Sequence, residues 1–404
     1  MVERIRGIGD NSQELEFSTR PIKILFLNSK FPGFNFQAGG SERALERLIN
    51  GLDSQYPRHY QLSLYVKENR NMDQDVPLPN SVSYSGQKSR LALISYILTN
   101  QNRHDLLHVY TGILLPSRML GIIDAFWHKP IILRINSYNM IRNYSQCPPL
   151  PRRLLLSKIN KFIALSPEIE EGLLQMGITR DRIALIPNGI DIQMFSPPEN
   201  SAHKESLRQK LFPNIQMSNR IAFLYTGRIE EKNKKCLTML DLWSASDLPN
   251  QGHMMVMAGP INEADTNARN RLEDYKEKGM NIGTFWTGAL ETNQLIEYYR
   301  ASDFHILPSL QEGFSNALIE AAACGLPLVV RNSVSGNSQI VTSATGFQFD
   351  KDENIIPLLT YLTHIDARSY GINARLRAEK FDNRNIVNQY HQLYQSLERI
   401  PRHN

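Results

Sequence analysis

Residues Ser302–Gly325 read SDFHILPSLQEGFSNALIEAAACG, and the order of residue types in this stretch predicts the architecture. A short apolar run ends at Leu307, a breaker-rich loop covers Pro308–Gly313, and an apolar-periodic helix begins near Ser315 or Asn316. A buried strand feeding a helix through a short loop is the repeating unit of an open α/β sheet. The helix N-terminus has free backbone N–H groups and a positive dipole end, which suits a phosphate. Glu312 falls in the loop. Glu320 falls inside the helix among Ala317, Leu318, Ala321 and Ala322, where an unpaired carboxylate is costly. Hydroxyl groups of a polyhydroxylated ligand would pair with both. The spacing alone fits equally a surface loop glutamate and a helix glutamate salt-bridged to a neighbour.

Upstream, near-continuous apolar runs recur at Ile22–Leu27, Leu62–Val66, Leu106–Tyr110, Ile131–Ile135, Phe162–Leu165 and Ile183–Ile186. Such runs belong to strands covered on both faces. Helical patterns lie between them at about Ser41–Leu52, Arg90–Asn100, Pro116–Phe126 and Pro167–Met176. A stretch of linker composition, Ser196-Pro-Pro-Glu-Asn-Ser, precedes a second series at Ile221–Tyr225, Met254–Ala258, Thr284–Trp286, Phe304–Leu307 and Leu328–Val330. The expectation is two Rossmann-like parallel-sheet domains, 1–200 and 201–382. A helix at Asn383–Glu398, within 383–404, is expected to pack back toward the first domain. Two such domains face each other across a cleft at the carboxyl ends of their strands.

Composition narrows the class. The chain has 404 residues, of which 41% are hydrophobic and 21% charged. Those proportions exclude a disordered chain, a collagen-like repeat and a coiled coil. The formal charge of +5 suits phosphorylated small molecules or an anionic membrane surface and is too small to indicate nucleic acid. Cys147, Cys236 and Cys324 form no CxxC pair, which speaks for a reducing compartment and against structural zinc. The charged N-terminus has no signal-peptide core, and the longest apolar run, LALISYIL from Leu91, is too short to span a bilayer. The expected location is cytoplasmic, with the inner face of the membrane as a second option.

Several motifs add chemistry. Gly39-Gly40 follows the first strand and opens a helix, as an anion-cradling loop or a simple tight turn does. Arg228, with Lys232 and Lys234, follows a strand at the expected cleft, where these cations would neutralise a diphosphate. The segment EEKNKK also reads as a solvated turn, and spacing leaves open which lysine acts. Asp73-x-Asp75 lies in an unpatterned polar loop and is taken as solvated. The mixed segment Pro151–Lys161 reads either as a peripheral membrane contact or as a helix with its leucines in the core.

EGFSNALIEAAACGLPLV, with Glu312 and Glu320 separated by seven residues, resembles the signature of the family 4 retaining glycosyltransferases of the GT-B fold. Ala38-Gly39-Gly40-Ser41-Glu42, Ala164-Leu165-Ser166, Ile186-Pro187-Asn188-Gly189-Ile190-Asp191, Thr226-Gly227-Arg228-Ile229, Gly259 and Trp286-Thr287-Gly288 follow the family in order and spacing. The resemblance is dense from about Leu165 to Phe349. It implies transfer of a sugar from a nucleotide diphosphate sugar, most commonly of uridine, to a glycan, lipid-linked or small-molecule acceptor. It implies no cofactor and no metal. By analogy Glu320 would bind ribose hydroxyls and Glu312 the donor sugar, with Gly313, Phe314, Ser315 and Asn316 near its hydroxyls and phosphates. Gly288 and Leu290 would lie near the base. Arg228 and Lys232 or Lys234 would stabilise the departing diphosphate.

Two positions depart from the family. Members commonly carry a histidine at the end of the strand matching Ile131–Ile135, where this chain has Asn136; His108, ending the preceding strand, is the candidate substitute. Near the C-terminal sheet Gly336-Asn337-Ser338-Gln339 replaces the usual glutamate. These departures open a second reading, a non-catalytic GT-B homologue that binds or stabilises an active transferase. A sugar-nucleotide epimerase or a phosphorylase is a third.

Overall fold

The structure, a computed structural model, describes residues 20–28, 39–66, 82–86, 90–110, 127–146, 156–213, 219–261, 265–277, 283–332 and 336–398. Two parallel sheets organise the chain. The first has seven strands in the order β3-β2-β1-β4-β5-β6-β7, where β1 is Ile22–Asn28, β2 Tyr60–Val66, β3 Val82–Gly86, β4 Leu106–Val109, β5 Ile131–Ile135, β6 Lys161–Ala164 and β7 Ile183–Leu185. The second has six in the order β10-β9-β8-β11-β12-β13. These are β8 Ala222–Thr226, β9 Met254–Ala258, β10 Thr284–Gly288, β11 Phe304–Leu307, β12 Leu328–Arg331 and β13 Gly346–Phe349. Both are Rossmann-like parallel sheets that share one order over six strands, the first sheet adding β7. Each reverses direction of winding beside its first strand, between β1 and β4 and between β8 and β11, the switch point where ligands settle in open α/β sheets.

Most of the apolar runs are buried strands, whereas β7 and β10 are only partly buried and Leu185 is exposed. Leu25, Leu27, Leu107 and Leu133 pack in one core, and Ile24, Phe26, Leu62 and Ile132 pack in another on the opposite face. The second core is roofed by two helices, α1 at Gly40–Gln55 and, at the far end of the chain, the helix Asn383–Glu398. Gly51 is the point of closest approach: a Cβ there would overlap the Val387 side chain. The chain leaves the first sheet through 186–200 and returns beside the same segment. Ile190 N donates to Phe381 O at 2.9 Å, and Asn383 N donates to Ile190 O at 2.8 Å.

Short edge strands β3 and β13 were not expected, because VSYSG and GFQF lack a long apolar run. The helix expected at 116–126 and the acidic pair at 73 and 75 lie outside the described residues, as does 151–155 of the basic-apolar segment. The described remainder of that segment buries Leu156 and Ile159, while Lys161 opens β6 and donates to Asp181 O. No helix among the described residues is long and apolar enough to cross a membrane.

Candidate functional site

A cavity lies between the carboxyl ends of the two sheets. Gly39, Gly40 and Arg43 line it from the first half. Thr226, Gly227, Arg228, Lys234, Ala258, Gly259, Leu290, Glu312, Phe314, Ser315, Asn316 and Glu320 line it from the second. Its floor is backbone in close contact. Gly227 (φ +145°) and Gly259 (φ +148°) occupy conformations that side chains rarely adopt, and a Cβ on Gly259 would overlap the Gly227 carbonyl. Arg228 is exposed at the rim, its carbonyl accepting the Tyr225 hydroxyl at 2.8 Å.

Lys234 and Lys232 separate clearly. Lys235 adopts a left-handed conformation (φ 52°) before the helix Cys236–Ser244, and Asn233 O accepts Leu310 N at 2.7 Å. This turn brings Lys234 onto the cavity, where its Nζ lies 2.5 Å from Glu312 Oε1 in a half-buried ion pair. Lys232 is exposed and does not line the cavity.

Glu320 sits in the helix Asn316–Ala323 and is buried, so its charge needs partners. Arg47 of α1 donates to Oε1 at 2.6 Å, and the Tyr299 hydroxyl donates to Oε2 at 3.3 Å. Behind it, Thr226 Oγ1 meets Tyr299 Oη at 2.8 Å and His305 Nε2 at 2.9 Å. Burial holds His305 down to about 3, and burial together with the Glu320 charge pushes Tyr299 well above the ordinary phenol range. The cavity wall beneath Glu320 is therefore a dry, neutral hydrogen-bonded chain.

Asn316 spans the cleft. Its Nδ2 donates to Gly40 O at 2.7 Å and its Oδ1 accepts from Asn188 Nδ2 at 2.7 Å. Ser315 occupies the N-cap position of its helix without a side-chain capping hydrogen bond, and Phe314 is buried with its ring 5.4 Å from that of Phe381. Gly313 lies against the Asn136 carbonyl rather than in the cavity lining, and Gly288 stands just outside that lining, its carbonyl accepting Gly259 N at 2.9 Å.

Asn136 and His108 are placed differently from expectation. The Asn136 side chain is engaged on all sides: it accepts from Arg134 at 2.5 Å and donates to Ser41 Oγ and Tyr110 O, each at 3.2 Å. His108 is corrected outright. It is fully buried, its Nδ1 shares a hydrogen bond with the Tyr394 hydroxyl at 2.9 Å, and it packs among Phe26, Tyr110 and Tyr390. The register of β4 turns it toward the C-terminal helix, so it does not substitute for a cleft histidine. Gln339, at the second departure, also acts between the halves, donating to Leu165 O at 3.1 Å.

Sequence reading missed Arg43 and Arg47, although their i, i+4 spacing after a Gly-Gly loop puts both on one helix face. It also missed Tyr299, which carries no motif. Three cations, Arg43, Arg228 and Lys234, thus surround a cavity with a close-packed glycine floor, flanked by two carboxylates. That set fits a diphosphate attached to hydroxylated groups. No group of His, Cys, Asp or Glu that could hold a metal ion occurs among the described residues.

Comparison with known proteins agrees with this geometry. Residues 38–194 match the family described as Glycosyltransferase Family 4, and residues 208–366 match Glycosyl transferases group 1. EpsF of Bacillus subtilis is 30% identical over 193 residues, covering 46% of this chain and 45% of that one. The UDP-Gal:alpha-D-GlcNAc-diphosphoundecaprenol alpha-1,3-galactosyltransferase of Escherichia coli is 27% identical over 173 residues, covering 43% and 42%. The chain thus spans about half the length of the curated relatives it matches. In fold it is similar to Anabaena HepE, solved with UDP and glucose, at a TM-score of 0.74 and 16% identity over 93% of this chain and 100% of that one. With a glycosyltransferase family match in each half and this fold, the chain belongs to the glycosyltransferases of GT-B architecture.

Proposed function

We propose that the protein moves a sugar from a uridine diphosphate sugar to a hydroxyl of a glycan, lipid-linked or small-molecule acceptor, with retention at the anomeric carbon and without a metal. The observation that carries this reading is the gathering of Arg228, Lys234, Glu312 and Glu320 around one cavity between the carboxyl ends of both sheets. The UDP and glucose in the similar Anabaena fold and the lipid diphosphate acceptor named for the Escherichia coli relative support the donor and acceptor classes.

In the proposed reaction the bond between the anomeric carbon and the diphosphate oxygen breaks, and a bond to the acceptor oxygen forms on the same face. The acceptor proton passes to an oxygen of the departing diphosphate. Negative charge grows on that diphosphate, so fixed cations aimed at it lower the barrier without needing a protein nucleophile. Arg228 and Lys234 fill that role. Glu312, held by Lys234, orients the donor sugar, and Glu320 the ribose. The engaged amide of Asn136 is compatible with this route, which asks the first half for positioning rather than covalent attack.

A thermal-shift screen against nucleotides and nucleotide sugars tests it. A ligand at a hundred times its dissociation constant adds about 2.7 kcal/mol of stability. The expected result is a shift with uridine diphosphate sugars that Arg228→Ala abolishes and that chelator leaves unchanged. Proton NMR of the product then reads the anomeric configuration. No shift with any nucleotide would overturn the reading in favour of a non-catalytic homologue.

A further inference from the structure

The carboxylate assigned above to the ribose is held from the opposite half of the molecule. Glu320 belongs to the second half, and its side chain is only 5% exposed; Arg47 belongs to α1 of the first half and is 15% exposed. One nitrogen of the Arg47 guanidinium donates to Glu320 Oε1 at 2.6 Å, and another donates to the Gly189 carbonyl at 3.1 Å. Its Cζ lies 5.6 Å from the centre of the Phe195 ring. The cation is therefore fixed between α1, the segment where the chain leaves the first sheet, and the helix carrying Glu320. A planar fork of donors held this way has little freedom left, unlike a lysine ammonium.

A carboxylate has about four directions in which it accepts hydrogen bonds. Arg47 occupies one on Oε1 and the Tyr299 hydroxyl one on Oε2. Glu320 also lines the cavity, so its remaining acceptor directions are available to a ligand there. One free direction on each oxygen matches two vicinal hydroxyls.

We propose that Arg47 is a positioning residue for nucleotide recognition, aiming Glu320 at the vicinal ribose hydroxyls of a nucleoside diphosphate and tying that recognition to the approach of the two halves. The proposal rests on the reading of Glu320 as the ribose ligand. Its consequence is specific: preference for ribose over 2′-deoxyribose depends on a residue that never touches the nucleotide. Such a pair also acts as a unit, so the effect of removing Arg47 disappears once Glu320 is gone.

The test is calorimetric binding of uridine diphosphate and of 2′-deoxyuridine diphosphate to the full chain, to Arg47→Met, to Glu320→Ala and to the double variant. Arg47→Met is expected to weaken uridine diphosphate about tenfold and to erase most of the preference over the deoxy form. In the Glu320→Ala background the same change is expected to alter affinity less than twofold. Arg47→Lys keeps the charge but not the fork, and is expected to fall between wild type and Arg47→Met. It also serves if Arg47→Met does not fold. Equal losses in both backgrounds, or an intact ribose preference in Arg47→Met and Arg47→Lys, would overturn the proposal. A ribose preference that survives Glu320→Ala alone would instead overturn the assignment of Glu320, and the proposal with it.

Discussion

Gly313 and Asn136, from opposite halves of the molecule, meet backbone to backbone: a Cβ added to Gly313 would overlap the carbonyl oxygen of Asn136. Neither backbone can yield as a flexible side chain would, so the strain of a methyl group is relieved most readily by parting the halves. Gly313→Ala is therefore expected to lower transfer at least tenfold while shifting the melting temperature by only a few degrees. Small-angle scattering checks the cause, since the variant should have the larger radius of gyration. A variant that is active and equally compact would refute this contact as a determinant of closure.

The two lysines of the basic turn provide an internal control. Lys234 lines the cavity and Lys232 does not. Lys234→Ala and Arg228→Ala are each expected to reduce kcat/KM at least a hundredfold, about 2.7 kcal/mol of transition-state stabilisation. Lys232→Ala should change it less than twofold. Steady-state kinetics on the three variants decides, and similar losses for both lysines would mean that charge alone, rather than position, matters.

His108 is expected to affect stability and not turnover. Its ring fills a buried site beneath the C-terminal helix, with Nε2 lacking a hydrogen-bond partner. His108→Ala would leave a cavity costing about 2 kcal/mol. For a chain of 404 residues that corresponds to a fall in melting temperature of roughly 2–3 °C. Turnover per folded molecule, measured well below that temperature, should stay within a factor of two.

Buried His305 makes stability depend on pH in a definite direction. Its folded-state pKa, held at about 3 by burial, lies below the unfolded value of 6.5. Between those limits the unfolded chain takes up a proton that the folded one does not. Its contribution is fully present above pH 6.5 and is lost progressively as pH falls toward 3, at about 1.4 kcal/mol per pH unit. Denaturant melts at pH 7 and pH 5 should show a smaller decline for His305→Asn than for wild type. Parallel declines would contradict a neutral buried imidazole.

Much of the second half's share of the cavity was legible in the chain. The junction around 302–325 folds as read, with β11 ending at Leu307 and a helix starting at Asn316 directly after Ser315. Strand runs, breakers and helix starts are local patterns, set by periods of two and 3.6 residues and by capping. The first half's share was less legible. His108 and Asn136 end neighbouring strands, and the sequence does not say which way a strand-end side chain points or what covers it. Register turned His108 to the Tyr394 side and committed the amide of Asn136 to Ser41 and Tyr110.

The amino-acid sequence by itself determined two parallel α/β sheets facing one cleft and a phosphate-suited helix start beside two glutamates. Each of these follows from the burial preferences of short contiguous segments. Only the tertiary structure decided which cation reaches which carboxylate. Lys234 meets Glu312 because a left-handed residue turns the loop, and Arg47 meets Glu320 across 273 residues because two helices from different halves are brought face to face. Reach between side chains depends on how whole domains pack, and no local periodicity encodes that.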